Sequence, residues 1–233
     1  MARNLRGEKD SIVNLILLGP PGSGKGTQSK FIETSYNLKQ VSTGELFRSA
    51  VNNKTELGAK VQKFMSNGSL VPDDLTLDIV LESMRAIQKS CSGFIFDGFP
   101  RTLPQAHGLH EKGINIKLVI NFIIDESKVL ERLSSRRICP TCKKEYNLKF
   151  NPPRTDEICD TCQGKLAIRH DDSPVIIKKR IEDYDMVTRK LITYYHNQKI
   201  LCDIDAGLPI EEVRLEIKNI LDPLRERCHP RIR

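Results

Sequence analysis

Apolar runs and amphipathic segments alternate along the chain, and that alternation predicts its architecture. Ile12-Val13-Asn14-Leu15-Ile16-Leu17-Leu18 is almost continuously aliphatic and reads as a buried strand. Residues 27–36 set Phe31 and Ile32 among polar neighbours, as the start of a surface helix does. Gln40-Val41-Ser42-Thr43 follows, then a helix over 44–51 and another over roughly 57–67. Asp73-Asp74 open a third helix, in which Leu77, Val80, Leu81 and Met84 keep helical spacing. Phe94-Ile95-Phe96 is a short buried strand ending at Asp97. Residues 103–112 read as a helix, 117–124 as an aliphatic strand, and 127–137 as an arginine-rich helix. A long amphipathic helix is expected over about 174–197, a last strand over 200–204 and a closing helix over 210–225. The basic tail 221–233, ending RERCHPRIR, extends past the last recognisable element. There is no internal repeat and no low-complexity linker. Strands alternating with helices imply a parallel sheet covered on both faces.

Residues 138–167 break this rhythm. They hold Pro140, Pro152, Pro153 and four cysteines, with too few apolar residues for an independent core. Cys139-x-x-Cys142, sixteen intervening residues and Cys159-x-x-Cys162 form two pairs with the spacing of a four-thiolate zinc site. All four positions would be filled by protein, which makes the metal structural; iron suits the same thiolates. Cys91, Cys202 and Cys228 stand apart and read as gap fillers or surface residues.

Chemistry concentrates first in GPPGSGKGTQS, residues 19–29. Gly19 to Lys25 satisfies G-x-x-x-x-G-K. Such a loop lets the amides of Gly22, Ser23 and Gly24 turn toward phosphate oxygens while Lys25 neutralises the outer phosphates. Gly26 stands where serine or threonine is usual, and the hydroxyl of Thr27, next in line, is available to Mg²⁺. Asp97, at a strand end, is placed like a carboxylate that holds Mg²⁺ or its waters. Gly98-Phe99-Pro100-Arg101 then delivers an arginine beside the same strand end.

The chain has 233 residues, room for one sizeable α/β domain with smaller inserts. Its net charge of +7 suits a polyanionic ligand. Basic residues are dispersed and aromatics make up only 6%, which argues for a small phosphorylated substrate over nucleic acid. No run is long enough to span a membrane, and MARNLRGEKD lacks the apolar core of a signal peptide. The expectation is a cytoplasmic protein.

GPPGSGKGTQ, VSTGELFR, DGFPRT and RICPTC…CDTC together resemble the adenylate kinase family, in its long form with a cysteine-bearing lid; the similarity covers about residues 12–221. The resemblance implies a P-loop NTPase-type fold with a core of residues 1–42, 73–134 and 173–233. An AMP-binding insert would span 43–72 and a lid 135–172. It implies a monomeric phosphotransferase that moves the terminal phosphoryl group of Mg-ATP onto AMP to give two ADP, with a structural Zn²⁺ in the lid. ATP would be held by Gly22 to Thr27, Arg132, Arg136, Glu145, Tyr146 and the main chain of Leu208. Arg132 and Arg136, four apart, would share one helix face. AMP would lie against Thr43, Gly44, Arg48, Ser69, Leu70, Val71 and Gly98-Phe99-Pro100-Arg101, with Gln105 reading the adenine edge. Arg169 and Arg180 would grip both phosphate groups, so that Lys25, Arg101, Arg136, Arg169 and Arg180 form the catalytic set. Asp171 and Asp172 match an acidic pair near the closing lid. Two alternatives stay open: GTP as donor or UMP or CMP as acceptor, and a zinc ribbon that docks on nucleic acid.

Overall fold

A computed structural model describes residues 13–87 and 91–228. Five strands, β1 (Asn14–Leu18), β2 (Lys39–Ser42), β3 (Phe94–Asp97), β4 (Ile116–Ile123) and β7 (Leu201–Asp205), form one sheet in the order β2-β3-β1-β4-β7. Every neighbouring pair in it is parallel. Two short antiparallel strands, β5 (Arg136–Ile138) and β6 (Glu145–Asn147), belong to the cysteine module.

The aliphatic run of β1 is explained by its central position, because both faces are covered. Leu15 and Leu17 point to one side, where they join Ile120 and Phe122 of β4. There they meet Ile32 of α1 (Lys25–Tyr36) and Ile217 and Leu221 of α9 (Ile210–Cys228). Ile16 and Leu18 point the other way, with Phe94 and Phe96 of β3. That side is closed by Val80 and Met84 of α4 (Asp73–Ile87), Leu109 of α5 (Leu103–Glu111), and Leu191 and Tyr195 of α8 (Lys190–Asn197).

Two satellites flank the C-terminal ends of the strands. Helices α2 (Thr43–Asn52) and α3 (Glu56–Ser66) pack so tightly that a Cβ at Gly58 would lie 2.2 Å from the Ala50 carbonyl oxygen. Their own cluster is Phe47, Val61, Val71 and Ile79. The cysteine module has a core of only Cys139, Tyr146, Cys159 and Leu166. That small cluster matches the thin core expected from its composition.

Three sequence expectations are corrected. The arginine-rich helix α6 (Glu126–Ser134) stops before Arg136, which begins β5, so Arg132 and Arg136 do not share a helix face. The stop comes from outside the helix: Asn147 Nδ2 donates to the Arg132 carbonyl at 2.9 Å, satisfying an end group. The Ser135 hydroxyl also donates to the Glu131 carbonyl at 2.6 Å. The helix expected over 174–197 is α7 (Pro174–Asp183) and α8, joined by a π turn at Tyr184–Thr188. Finally, α9 runs on to Cys228 through Pro223, because Ile217, Leu221 and Leu224 keep it packed on the core. The expectations for Ile12, the Cys228 side chain and residues 229–233 lie outside the described residues. Among the described residues no helix is long and apolar enough to cross a membrane.

Candidate active site

The strand ends open into a cleft of about 610 Å³, with a smaller pocket of about 80 Å³ beside it. Ligand clefts sit at this edge of parallel sheets because the chain reverses its strand order there. At its floor the glycine-rich loop leaves β1 and enters α1. Gly22 and Gly24 have φ of +77° and +97°, a backbone state costly for other residues. A Cβ at Gly22 would also stand 2.8 Å from Leu133 Cγ. The helix start carries no side-chain cap on Gly24, which leaves that end of α1 uncovered by a capping side chain.

Lys25 folds back over the loop. Its Nζ donates to the carbonyls of Gly19 and Pro20, both at 2.8 Å, and to Ser23 Oγ at 3.2 Å. Burial pushes its pKa down to about 8, with Asp97 opposing and Arg101, Arg180 and Arg136 adding to the fall. The Asp97 carboxylate accepts from Gln40 Nε2 at 3.0 Å, and its Oδ2 lies 3.6 Å from where a Cβ on Gly26 would sit. Thr27, Asp97 and Lys25 line one rim of the cleft.

The smaller pocket gathers Thr43, Gly44, Arg48, Ser69, Leu70, Val71, Gly98, Arg101 and Gln105. Thr43 Oγ1 and Arg101 Nε both donate to the Gly98 carbonyl, at 2.9 Å each, which fixes the glycine corner between them. Pro100 lines the larger cleft. Phe99 lines neither: it is fully buried against Phe96, so its part in this corner is packing.

Between the two regions lies a cluster of guanidinium groups. Arg136 makes a bidentate pair with Asp172, its Nε at 2.6 Å from Oδ2. Arg169 pairs bidentately with Asp171 at 3.0 and 2.8 Å and reaches Glu145 at 2.9 Å. Arg180 donates to the Asp171 carbonyl at 2.9 Å and to Asp172 at 3.2 Å, and Arg48 stands 3.9 Å from Asp171. Burial alone would raise the Asp171 carboxyl; Arg169, then Arg180 and Arg48, hold it well below the usual carboxylate range. Glu145 is lowered in the same way, burial being outweighed by Arg169, Arg136 and Arg48. Asp171 and Asp172 therefore neutralise and position these arginines at the cleft.

Arg132, Glu145, Tyr146 and Leu208 line the other end of the large cleft, where Arg132 Nη1 reaches the Ser23 carbonyl at 3.4 Å. The sequence reading missed Phe150, whose ring lies 5.7 Å under the Arg132 guanidinium and is 49% exposed. An aromatic residue in an otherwise polar, proline-flanked turn was the available signal. Gln28 was missed as well; it is buried, lines the cleft and donates to the Ile210 carbonyl at 3.3 Å.

The sulfur atoms of Cys139, Cys142, Cys159 and Cys162 all lie within 4.8 Å of one another. Tetrahedral zinc at thiolate distance would separate them by about 3.8 Å, so the quartet fits such an ion. The Tyr146 hydroxyl sits 3.4 Å from Cys159 Sγ and accepts the Asp160 N–H at 2.9 Å. One side chain thus touches both the cysteine quartet and the cleft.

A glycine-rich loop at the start of a helix, on a parallel sheet, with cations converging over it, defines a P-loop nucleotide enzyme. The family model for adenylate kinase matches residues 17–200. The chain is 43% identical over 206 residues to an adenylate kinase of Finegoldia magna, covering 86% of this chain and 95% of that one. It is 44% identical to that of Syntrophomonas wolfei over 217 residues, and 44% identical to that of Archaeoglobus fulgidus over 218. Both alignments cover 91% of this chain and 100% of the relative. The chain belongs to the adenylate kinase family, and it is a nucleoside monophosphate kinase, a phosphotransferase.

Proposed function

We propose that the protein transfers the terminal phosphoryl group of ATP directly and reversibly to AMP, giving two ADP. The observation that carries this reading is a large cleft with a smaller pocket beside it, Lys25, Arg136 and Arg169 lining the first and Arg101 and Arg180 lining both. The acceptor phosphate is already an anion and needs no base. What the reaction needs is two polyanions held in line with their repulsion cancelled. An AMP phosphate oxygen attacks the γ-phosphorus as the bond to the β,γ-bridging oxygen breaks, and the electron pair leaves with the new ADP.

On this reading the amides of residues 22–27 and Lys25 hold the donor phosphates, and the donor base lies between Arg132 and Phe150 over the backbone at Leu208. Arg48 and Arg101 hold the acceptor phosphate, and Gln105 meets the acceptor base. Arg169 and Arg180 exchange their aspartate partners for phosphate. Thr27 and Asp97 offer hard oxygen donors that suit hydrated Mg²⁺, which would supply charge neutralisation on the donor phosphates. Residues 43–72 act as the acceptor-binding insert and 135–172 as the lid, stapled by Zn²⁺ on the four cysteines. The enzyme works as a monomer in a reducing, cytoplasmic compartment.

A coupled assay of ATP and GTP against AMP, UMP and CMP tests the substrate pair. Conversion should be fastest with ATP and AMP. Lys25→Met should lower kcat by about a hundred- to a thousandfold without lowering the melting temperature, in the range seen for lost transition-state charge contacts. Retained activity in that variant would sink the assignment.

A further inference from the structure

Gln105 is 2% exposed, and its side-chain amide is already committed on both sides. Its Oε1 accepts the Arg101 backbone N–H at 2.7 Å, and its Nε2 donates to Asp73 Oδ1, also at 2.7 Å. The same Asp73 oxygen accepts from Thr102 Oγ1 at 2.9 Å, and Thr102 Oγ1 in turn accepts the Gln105 backbone N–H at 3.2 Å. Asp73 opens α4 and Thr102 caps α5, so the ring ties two helices that are distant in sequence.

We propose that Asp73 is a positioning residue: it locks the Gln105 amide in one orientation and thereby makes the acceptor site select a 6-aminopurine over a 6-oxopurine. This rests on the reading of Gln105 as the acceptor-base contact. A backbone N–H can only donate and a carboxylate can only accept. Turning the Gln105 amide over would set its NH₂ against the Arg101 N–H and its oxygen against the Asp73 carboxylate. Only the observed orientation satisfies both neighbours.

That orientation leaves one Nε2 hydrogen and one Oε1 lone pair for a ligand. Adenine presents an acceptor, N1, beside a donor, its 6-amino group. Hypoxanthine and guanine present the reverse, an N1–H donor beside the O6 acceptor. A freely turning glutamine amide would serve either edge; a locked one serves only one. The base cannot turn over to compensate, because its phosphate is anchored at Arg48 and Arg101, in the same pocket. Asp73 touches no substrate and acts through Gln105.

The test compares kcat/KM for AMP and inosine monophosphate, which differ only at the 6-position and N1. Asp73→Ala should lower the AMP/IMP ratio by about tenfold, the worth of a hydrogen bond or two. Asp73→Asn, whose carbonyl can still accept from Nε2, should keep most of the ratio. In a Gln105→Ala background, Asp73→Ala should change the ratio no further. If Asp73→Ala is too unstable to assay, Asp73→Ser, too short to reach Nε2, takes its place at the helix start.

An equal loss for both nucleotides, or an effect of Asp73→Ala that persists without Gln105, would overturn the proposal and leave the acceptor-base reading standing. If Gln105→Ala alone left the AMP/IMP ratio unchanged, the reading of Gln105 itself would fall, and the proposal with it.

Discussion

Asp172→Asn tests the idea that the aspartate pair stands in for phosphate. The Asp172 side chain is wholly buried, while its partners Arg136 and Arg180 are 16% and 17% exposed at the cleft. Leaving a buried charge without its partner costs about 3–5 kcal/mol when neither water nor another group replaces it. Three features reduce that here. Asparagine keeps one oxygen for Arg136. Arg180 retains the Asp171 carbonyl at 2.9 Å. Both guanidiniums can also take water from the cleft. The remaining loss is about 1–2 kcal/mol, or about 2–8 °C in melting temperature for a chain of this size. Calorimetry on the free variant should show it. With saturating diadenosine pentaphosphate, a bisubstrate mimic, the phosphates supply the missing negative charge, and the gap to wild type should shrink markedly. An equal gap with and without the mimic would mean that the aspartates serve structure alone. No gap in the free protein would mean that the pairs contribute nothing.

Lys25, with its pKa lowered to about 8 in the free protein, should take up a proton when donor phosphates bind near pH 8 to 9. Titration calorimetry in buffers of different ionisation heat should detect that uptake, and Lys25→Met should abolish it. The folded pKa lies below the ordinary 10.5, so the unfolded chain binds more protons between those values; this group's contribution to stability rises with pH from about 8 to 10.5. Its absence from the difference between wild type and Lys25→Met would contradict the burial argument. Cys159→Ser should reduce bound metal, measured by elemental analysis, and lower the melting temperature more than turnover at moderate temperature. In hydrogen exchange the amides of Cys139 and Cys159, which donate to the Lys144 and Gly164 carbonyls at 2.9 Å each, should lose protection in that variant. Unchanged protection would show that the module does not need its staple.

What could be read from the sequence was what local chemistry determines. The β1 run, the loop after it and the cysteine spacing each depend on neighbours within a few residues. The parallel sheet follows from alternation, but its order does not: β3 pairs with β1 on one side and β2 on the other. Arg136 was misplaced because a four-residue spacing fits a helix, while the stop comes from Asn147, on the far strand of the hairpin. Pro223 signalled a break that core packing overrides. The Asp73–Gln105 hydrogen bond spans 32 positions; the family resemblance singles out Gln105, but Asp73 looks like an ordinary helix opener until the fold joins the two.

The thin core and the charged contacts of the cysteine module account for each other. With only Cys139, Tyr146, Cys159 and Leu166 buried inside it, the module has little apolar surface with which to grip the rest of the chain. Its attachments at the cleft are instead ion pairs, Asp171 and Asp172 with Arg180 and Asp171 with Arg48. Such pairs are directional but contribute little net stability where water can reach the partners. On the proposed function, a substrate phosphate would compete for the same guanidiniums and replace each carboxylate without leaving a charge stranded. If metal ligation holds the module together internally, its contacts with the core can break and re-form without unfolding it. If residues 135–172 act as the proposed lid, a larger apolar interface would secure it more firmly but would tie closure to that surface instead of to bound phosphate.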